Sequence, residues 1–270
     1  MAVTHFIQTI WSKKILDALE VECKLVDNCL REYEGDCKHA QSVKILGVGE
    51  PTIGDYTGAD IDIEAMSDES QMLTIDQAKY FAFYVDDVDK AQSVPGLPEE
   101  YQRKSVHALA VARDTYVANL IKGATNATTA TNLTQDAVKA AIDSAIVALR
   151  ERNFAEDGVI EITPAAYNVF KNCLITLSTE NPEYIKKGKV GTYDGFDVIM
   201  SNNMAKDGSH AYCDVRGRKA IAFAGQIDKV EACRAEKRFA DIIKGLDVYG
   251  AKVIDEDRIQ VVKIPLTATA

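Results

Sequence analysis

The sequence predicts an α+β fold whose helices and strands come largely in separate blocks. Strand-like patterns occupy residues 43–85, and a helix of roughly six to seven turns begins at Pro98. Residues 134–201 alternate short helices with short strands, and from about Ala220 the chain turns mainly extended. At roughly 150 residues per domain, a chain of 270 residues suits two domains, or one large domain with excursions.

The composition excludes several classes of protein. Hydrophobic residues make up 47% of the chain and charged residues 27%, which excludes a wholly disordered chain, a collagen and a coiled-coil rod. With a net charge of −10, the chain lacks the overall basic character of a dedicated nucleic-acid binder. No apolar run is long enough for a transmembrane helix, and residues 1–30 lack the pattern of a secretory signal. We therefore expect synthesis in a reducing cytoplasm.

The residues that usually carry chemistry form no recognisable motif. The six cysteines contain no Cys-x-x-Cys pair, and the four histidines contain no His-Glu-x-x-His. Residues 47–49 begin like a dinucleotide-binding loop, but Thr52 does not continue it. Residues 60–64 begin like a calcium loop, but Ala65 replaces the glycine that such a loop needs. We predict that the protein is not an enzyme and has no catalytic, cofactor-binding or metal-binding residues.

Residues 1–30 are predicted to be helical with an irregular start. Apolar side chains recur every four residues, with charged residues between them. This stripe comprises Ile7, Trp11, Ile15 and Leu19. Such a helix must bury its apolar face. The sequence leaves open whether it packs on its own domain or on a neighbouring subunit.

Two strand-like runs, residues 42–48 and 73–85, predict a long hairpin. The second run alternates for most of its length and ends rich in aromatic residues. A polar, glycine-containing stretch at residues 51–58 and an acidic stretch at residues 60–64 lie between the runs. An isolated hairpin is marginally stable in water. We therefore expect this hairpin to lean on another molecule.

The long helix has clear start and stop signals. Pro98 suits the first helical position, Glu99 and Glu100 suit the positive end of the helix dipole, and Gly123 suits the C-terminal cap. One predicted face of the helix comprises Tyr101, Ser105, Ala108, Leu109, Ala112, Tyr116 and Leu120.

The α/β region follows a Thr- and Asn-rich linker at residues 124–132. Thr134 is the predicted cap of a second helix, and Thr163 with Pro164 is the predicted start of a third. The predicted apolar stripe of the second helix is Val138, Ile142, Ala145, Ile146 and Leu149. The predicted strands of this region and of the C-terminal part are residues 159–162, 195–201, 227–234, 246–254 and 259–264. Gly245 and Gly250 are predicted to mark bends or bulges.

Several short sequence strings occur in a fixed order along these predicted elements. They are Thr9-Ile10-Trp11-Ser12, Tyr33-Glu34-Gly35, Asp55-Tyr56-Thr57, Ile75-Asp76-Gln77-Ala78-Lys79-Tyr80-Phe81, Val85-Asp86-Asp87-Val88-Asp89, Ile221-Ala222-Phe223-Ala224, Lys229-Val230-Glu231 and Val248-Tyr249-Gly250-Ala251-Lys252-Val253. Each string is moderately specific, and their order and spacing are more so. Together they resemble the major capsid proteins of tailed bacteriophages, which have the Hong Kong 97-like fold. The resemblance covers nearly the whole chain.

The resemblance implies distinct roles for five segments. Residues 1–30 would be the N-arm, 31–90 the E-loop hairpin with its flanks, 91–130 the peripheral domain with its long spine helix, 131–222 the axial α/β domain, and 223–270 the C-terminal strands of the peripheral domain. The N-arm and the E-loop would lie on neighbouring subunits. The candidate intersubunit contacts are Trp11, Lys44, Pro51, Asp55, Tyr56 and Lys79.

The resemblance also implies a structural function in the virion, for a protein made in the host bacterial cytoplasm. Copies of the chain would assemble through hexamers and pentamers into an icosahedral shell around phage DNA, without sequence-specific binding. The other implied partners are a separate scaffolding protein and a portal, and the sequence leaves a decoration protein open. No membrane and no cofactor are implied. Some relatives crosslink through a lysine in the E-loop; neither Lys44 nor Lys79 matches that motif, and no crosslink is predicted.

Three other functions stay open on the sequence. An encapsulin, a bacterial compartment that encloses protein cargo, shares the same fold. Another virion subunit, such as a decoration or tail-tube protein, would be rich in strands and lack the long helix. A soluble enzyme with an unrecognised site would be a stable monomer with a deep polar pocket.

Overall fold

The computed structural model of the protein describes residues 23–34, 42–48, 68–86, 97–155, 157–171, 189–235 and 240–266. The helices of these residues are α1 (Leu97–Lys122), α2 (Gln135–Glu151) and α3 (Pro164–Phe170). Their strands are β1 (Ser42–Val48), β2 (Asp68–Thr74), β3 (Gln77–Asp86), β4 (Ala127–Thr129), β5 (Gly158–Ile162), β6 (Lys189–Tyr193), β7 (Phe196–Met200), β8 (His210–Gly217), β9 (Ile221–Arg234), β10 (Ala240–Val253) and β11 (Ile259–Pro265). Single-turn 3₁₀ helices cover Val26–Asn28 and Glu256–Arg258.

The largest sheet has six strands in the order β4-β11-β8-β5-β7-β6. The β4–β11 and β5–β7 pairs are parallel, and the other neighbours are antiparallel. Helices α2 and α3 bury their apolar side chains against this sheet. Asp194 and Gly195, both with positive φ, form the tight turn between β6 and β7.

Helix α2 agrees with its sequence pattern. Thr134 occupies the N-cap position, although its side chain makes no capping hydrogen bond. All five side chains of the predicted stripe are buried, together with Ala141. Helix α3 begins as predicted, because Thr163 accepts a hydrogen bond from the Ala166 N–H and Pro164 follows it.

The second core lies between α1 and a three-stranded sheet in the order β3-β10-β9. In this sheet β9 and β10 pair over most of their length, with a register shift between Leu246 and Asp247. Gly250 lies where the backbone of Thr74 and Ile75 crosses β10, leaving no room for a Cβ atom. The glycine therefore permits a close backbone approach, whereas the sequence had predicted only a bend or bulge there.

The hairpin is confirmed at its base, where β1 and β2 pair antiparallel from Ser42 opposite Thr74 to Val48 opposite Asp68. Val43, Ile45 and Leu73 pack against β9 of the same chain, so the base does not depend on another molecule for its burial. The predicted strand at residues 73–85 is divided at residues 75–76, and its second part, β3, pairs with β10 instead.

The buried face of α1 differs from the prediction. Tyr101 and Ala108 are exposed, and only Leu109 of the predicted set is fully buried. The buried residues of α1 are Val106, Leu109, Ala110, Arg113, Asp114, Val117, Ala118 and Ile121. The charged residues Arg113 and Asp114 lie within the buried face. The apolar periodicity of the sequence therefore predicted a neighbouring face of the helix to be buried instead.

Other expectations from the sequence need correction. Residues 23–30 contain one 3₁₀ turn and an isolated bridge instead of a continuous helix, and residues 1–22 lie outside the described part. The linker at residues 124–132 contains β4. Strand β11 belongs to the six-stranded sheet, whereas the sequence grouped it with β9 and β10 in the segment 223–270. Strands β6 and β8 were not predicted.

Candidate assembly surface and N-terminal anchor

The outer face of β3 exposes large aromatic side chains. Along this strand the even-numbered residues Ala78, Tyr80, Ala82 and Tyr84 are all exposed, with Tyr80 at 79% and Tyr84 at 64%. Two odd-numbered residues, Phe81 and Phe83, are turned to α1: Phe81 packs on the core, and the Phe83 ring stacks on Tyr101 with a 5.7 Å centroid separation. The alternation follows from the two-residue period of a strand.

The exposed face continues onto β10. Tyr84 is the register partner of Ile242, and Tyr80 is the partner of Leu246; both aliphatic residues are half-buried. Lys244 lies between them, opposite Ala82. Within the part of the chain that the structure describes, β10 is the only neighbour of β3, so β3 is an edge strand. We use the name tyrosine face for the following side chains of β3 and β10: Ala78, Tyr80, Ala82, Tyr84, Ile242, Lys244 and Leu246.

The predicted contact residues are only partly placed. Lys44 is exposed on β1 opposite Met72, which is 56% exposed, and Lys79 is exposed on β3. The two lysines belong to different sheets. The other four candidates, Trp11, Pro51, Asp55 and Tyr56, lie outside the described residues.

Residues 24–29 form an N-terminal anchor, which the sequence did not predict. On one side, the Asp114 carboxylate of α1 accepts hydrogen bonds from the backbone N–H groups of Lys24 and Leu25, both at 3.1 Å, and of Val26 at 3.3 Å. The Asn203 side-chain amide donates to the same carboxylate at 3.2 Å. Burial raises the pKa of Asp114, and these hydrogen bonds to the charged form oppose that rise.

Arg216 of β8 holds the carbonyl groups of the same anchor. Its guanidinium donates to the Asn28 carbonyl at 2.7 Å and to the Leu25 carbonyl at 3.4 Å. It also donates to Glu161 of β5 at 2.8 Å, and its Nε lies 3.1 Å from Asp214. The three charged side chains are fully buried. Asp114 and Arg216 thus clamp one short segment through its N–H and C=O groups.

The charged residues that hold the anchor carry weak sequence signals. Asp214 and Arg216 alternate with the apolar residues Cys213 and Val215, a pattern that normally predicts one polar face of a half-exposed strand. Both faces of β8 are in fact buried. The partners that compensate the charges come from distant parts of the chain, and no local pattern reveals them.

No group of His, Cys, Asp and Glu side chains within the described residues has the geometry of a metal site. The helices in those residues are too short or too polar to span a membrane.

Comparison with solved structures finds phage structures whose chains have the same fold as this one. A structure from Mycobacterium phage Che8 superposes with a TM-score of 0.71 and 29% identity, covering 88% of this chain and 90% of that one. The capsid structure of the cyanophage P-SCSP1u superposes with a TM-score of 0.66 and 16% identity, covering 87% and 86%. The chain has the Hong Kong 97-like capsid fold. The resemblance drawn from the sequence is thereby confirmed.

The capsid fold extends beyond these phages. The crystal structure of a virus-like particle from Pyrococcus furiosus matches with a TM-score of 0.60 and 13% identity, covering 95% of this chain and 99% of that one. No protein-family model and no curated protein matches the sequence.

Proposed function

We propose that this chain is the major capsid subunit of a tailed bacteriophage and has a structural, non-enzymatic role in the virion. The observation that carries the proposal is the match to the Che8 structure over nine-tenths of both chains, with 29% identity. A second structure, the capsid of the cyanophage P-SCSP1u, supports the same role.

The tyrosine face supports assembly from many copies. Contiguous apolar side chains on a protein surface commonly mark an interaction site. Tyrosine is enriched in such sites because its ring is apolar and its hydroxyl can still form hydrogen bonds. We propose that a neighbouring copy covers the tyrosine face of each subunit.

The finer assembly follows from the same proposal. Subunits associate as hexamers and pentamers that close into an icosahedral shell, with help from a separate scaffolding protein and a portal. Residues 1–30 act as the N-arm and residues 31–90 contain the E-loop; in these segments Trp11, Pro51, Asp55 and Tyr56 contact neighbours. Lys44 lies on β1, which leads to residues 49–67, whereas Lys79 lies on β3 of the three-stranded sheet; we propose that both also contact neighbours. The packaged DNA is held without sequence-specific contacts, as the acidic net charge favours.

A protein-filled compartment is the second candidate function. The match to the virus-like particle from Pyrococcus furiosus covers 99% of that chain and favours this alternative. Its identity of 13% is less than half that of the Che8 structure. We therefore place phage DNA, and not a protein cargo, inside the shell.

The experiment is to express the full chain alone and with candidate scaffolding proteins. Particle mass is measured by light scattering and particle shape by negative-stain electron microscopy. Rings or closed shells are expected. A well-folded monomer under every condition would contradict the proposal, and shells purified with a bound protein cargo would favour the second candidate.

Substitutions on the tyrosine face make the test specific. The double variant Y80S/Y84S removes two exposed rings and should leave the fold intact, yet it should fail to assemble. The control Y80F/Y84F retains both rings and should assemble like the wild type. Assembly of Y80S/Y84S at the wild-type level would exclude the tyrosine face as an interface.

A further inference from the structure

Two buried carboxyl groups compete for one guanidinium beneath the N-terminal anchor. Glu161 on β5 and Asp214 on β8 are direct register partners on antiparallel strands. Directly opposed side chains have Cβ atoms about 4.5–5.5 Å apart, a distance at which like charges repel. Glu161, Asp214 and Arg216 are all fully shielded from solvent. Two ionised carboxylates and one guanidinium would leave an uncompensated negative charge in a dry site.

The hydrogen bonds are unevenly divided between the two carboxyl groups. One Glu161 oxygen, Oε1, accepts from Arg216 at 2.8 Å and from the Asn28 side-chain amide at 3.3 Å, whereas Oε2 has no partner. Both oxygens of Asp214 also lack a hydrogen bond, since Arg216 Nε approaches one of them at 3.1 Å without hydrogen-bond alignment. An ionised Asp214 would therefore be buried with only this poorly aligned contact to Arg216, whereas a protonated Asp214 could donate to the unused oxygen of Glu161.

We propose that Asp214 and Glu161 share one proton, carried by Asp214, and that this proton keeps residues 24–29 attached to the six-stranded sheet. The pair then bears a single negative charge that Arg216 balances. With its charge balanced, Arg216 can also donate to the Leu25 and Asn28 carbonyls of the anchor. Loss of the proton places a second negative charge in the cluster, and opening of the anchor is the route by which water reaches that charge.

The surrounding groups agree with a retained proton. From α1, Asp114 adds a further negative field, which together with burial raises the pKa of Glu161. Burial and the facing Glu161 raise the pKa of Asp214 well above its ordinary value, and Arg216 opposes both shifts. From the anchor, the Cys29 thiol faces Arg216 and stays neutral because burial raises its pKa to about 12. Arg218 contacts Asn28 but is itself paired with Asp197 at 3.0 Å.

The sign of the pH dependence follows from proton linkage. A carboxyl group with a raised pKa in the anchored state binds more protons there than in the open state. The anchor is therefore most stable below the ordinary carboxyl pKa of 3.8 and weakens as the pH rises from there to the raised value. Within that window the opening equilibrium can change by up to about tenfold for each pH unit.

Thiol labelling of the full-length chain tests the proposal. Cys29 is buried in the anchor and Cys233 is exposed on β9, so alkylation of Cys29 relative to Cys233 reports opening within the same molecule. Labelling is followed by mass spectrometry from pH 5 to pH 9, and the variant D214N is compared with the wild type at each pH. Since an asparagine amide can donate to Glu161 as the protonated acid does, D214N imitates the protonated state permanently.

The expected ratio of Cys29 to Cys233 labelling rises with pH in the wild type and stays low and flatter in D214N. The same rise in both proteins would overturn the proposal, as would a flat wild-type profile. Infrared spectroscopy of the wild type gives an independent readout that does not require the variant to fold. A protonated carboxyl band should be present at pH 7, and its absence would also overturn the proposal.

Discussion

Arg113 of the long helix α1 and Asp247 of β10 form a buried, two-pronged ion pair. The Arg113 Nε and Nη2 atoms donate to the two Asp247 oxygens at 2.9 and 2.5 Å. The guanidinium also lies over the rings of Phe223 and Tyr249, with centroid distances of 5.6 and 5.8 Å. The ion pair joins α1 to the three-stranded sheet at the point where the β9–β10 register shifts.

Removal of one partner of this pair should be strongly destabilising. We expect D247N to lower the free energy of unfolding of the unassembled subunit by about 3–5 kcal/mol, because it leaves a buried guanidinium without a counter-charge. The apolar double variant R113M/D247L should lose much less than the sum of the single variants R113M and D247L. Urea denaturation followed by circular dichroism measures all four. Additive losses would mean that the two residues act independently.

Asp114 should contribute to the free energy of unfolding because it binds the backbone of the anchor. In D114N the new amide nitrogen faces donors instead of acceptors, so at least one N–H group among residues 24–26 loses its partner. The expected loss of unfolding free energy is about 2–3 kcal/mol. The matched control is D157N, since Asp157 is exposed, and it should stay within about 0.5 kcal/mol of the wild type. Equal stability of the two variants in urea would argue against the clamp.

Gly250 and Gly208 offer a paired test of backbone crowding. A Cβ at position 250 would overlap the Thr74 carbonyl, whereas a Cβ at position 208 would meet nothing within 4 Å. G250A should therefore cost about 1–3 kcal/mol, as overpacking does, while G208A should be close to neutral. Thermal unfolding of both variants distinguishes them. A neutral G250A would mean that the Thr74–Ile75 backbone can move away from β10.

Asp207 should make the protein less stable as the pH falls, whereas the anchor weakens as the pH rises. Its carboxylate accepts hydrogen bonds from the Tyr212 hydroxyl at 2.7 Å and from the N–H groups of His210 and Ser209, which lower the pKa of Asp207 below its ordinary value. Because the folded pKa is depressed, the stabilisation is complete above the ordinary pKa of 3.8 and is lost as the pH falls toward the folded value.

The variant D207N should therefore be less stable than the wild type at pH 7, and the difference should shrink as the pH falls below about 4. Urea unfolding of both proteins at pH 7 and pH 3 measures the change. A stability difference that stays constant between these two pH values would show that charge at Asp207 does not contribute.

Local patterns predicted many of the individual elements. The start of α1, predicted at Pro98 and observed at Leu97, the buried stripe of α2 and the cap of α3 at Thr163 depend on residues within one or two turns of each other. The strands at β1, β5 and β11 were found for the same reason, since their composition and flanking residues are local signals. The strings along the chain also carried the resemblance to phage capsid proteins.

The tertiary structure decided which residues are buried where the local pattern is mixed. Arg113, Asp114, Glu161, Asp214 and Arg216 look like surface residues in the sequence. Their compensating partners lie far along the chain, with Arg113 and Asp247 separated by 134 positions and Leu25 and Asp114 by 89. A charged side chain can be buried only when its partners are brought to it, and that depends on the folded arrangement of sheets and helix. The sequence by itself therefore determined the order and much of the periodicity of the elements, whereas the division of residues 73–85 between two sheets and the clamp on residues 24–29 arose only from tertiary contacts.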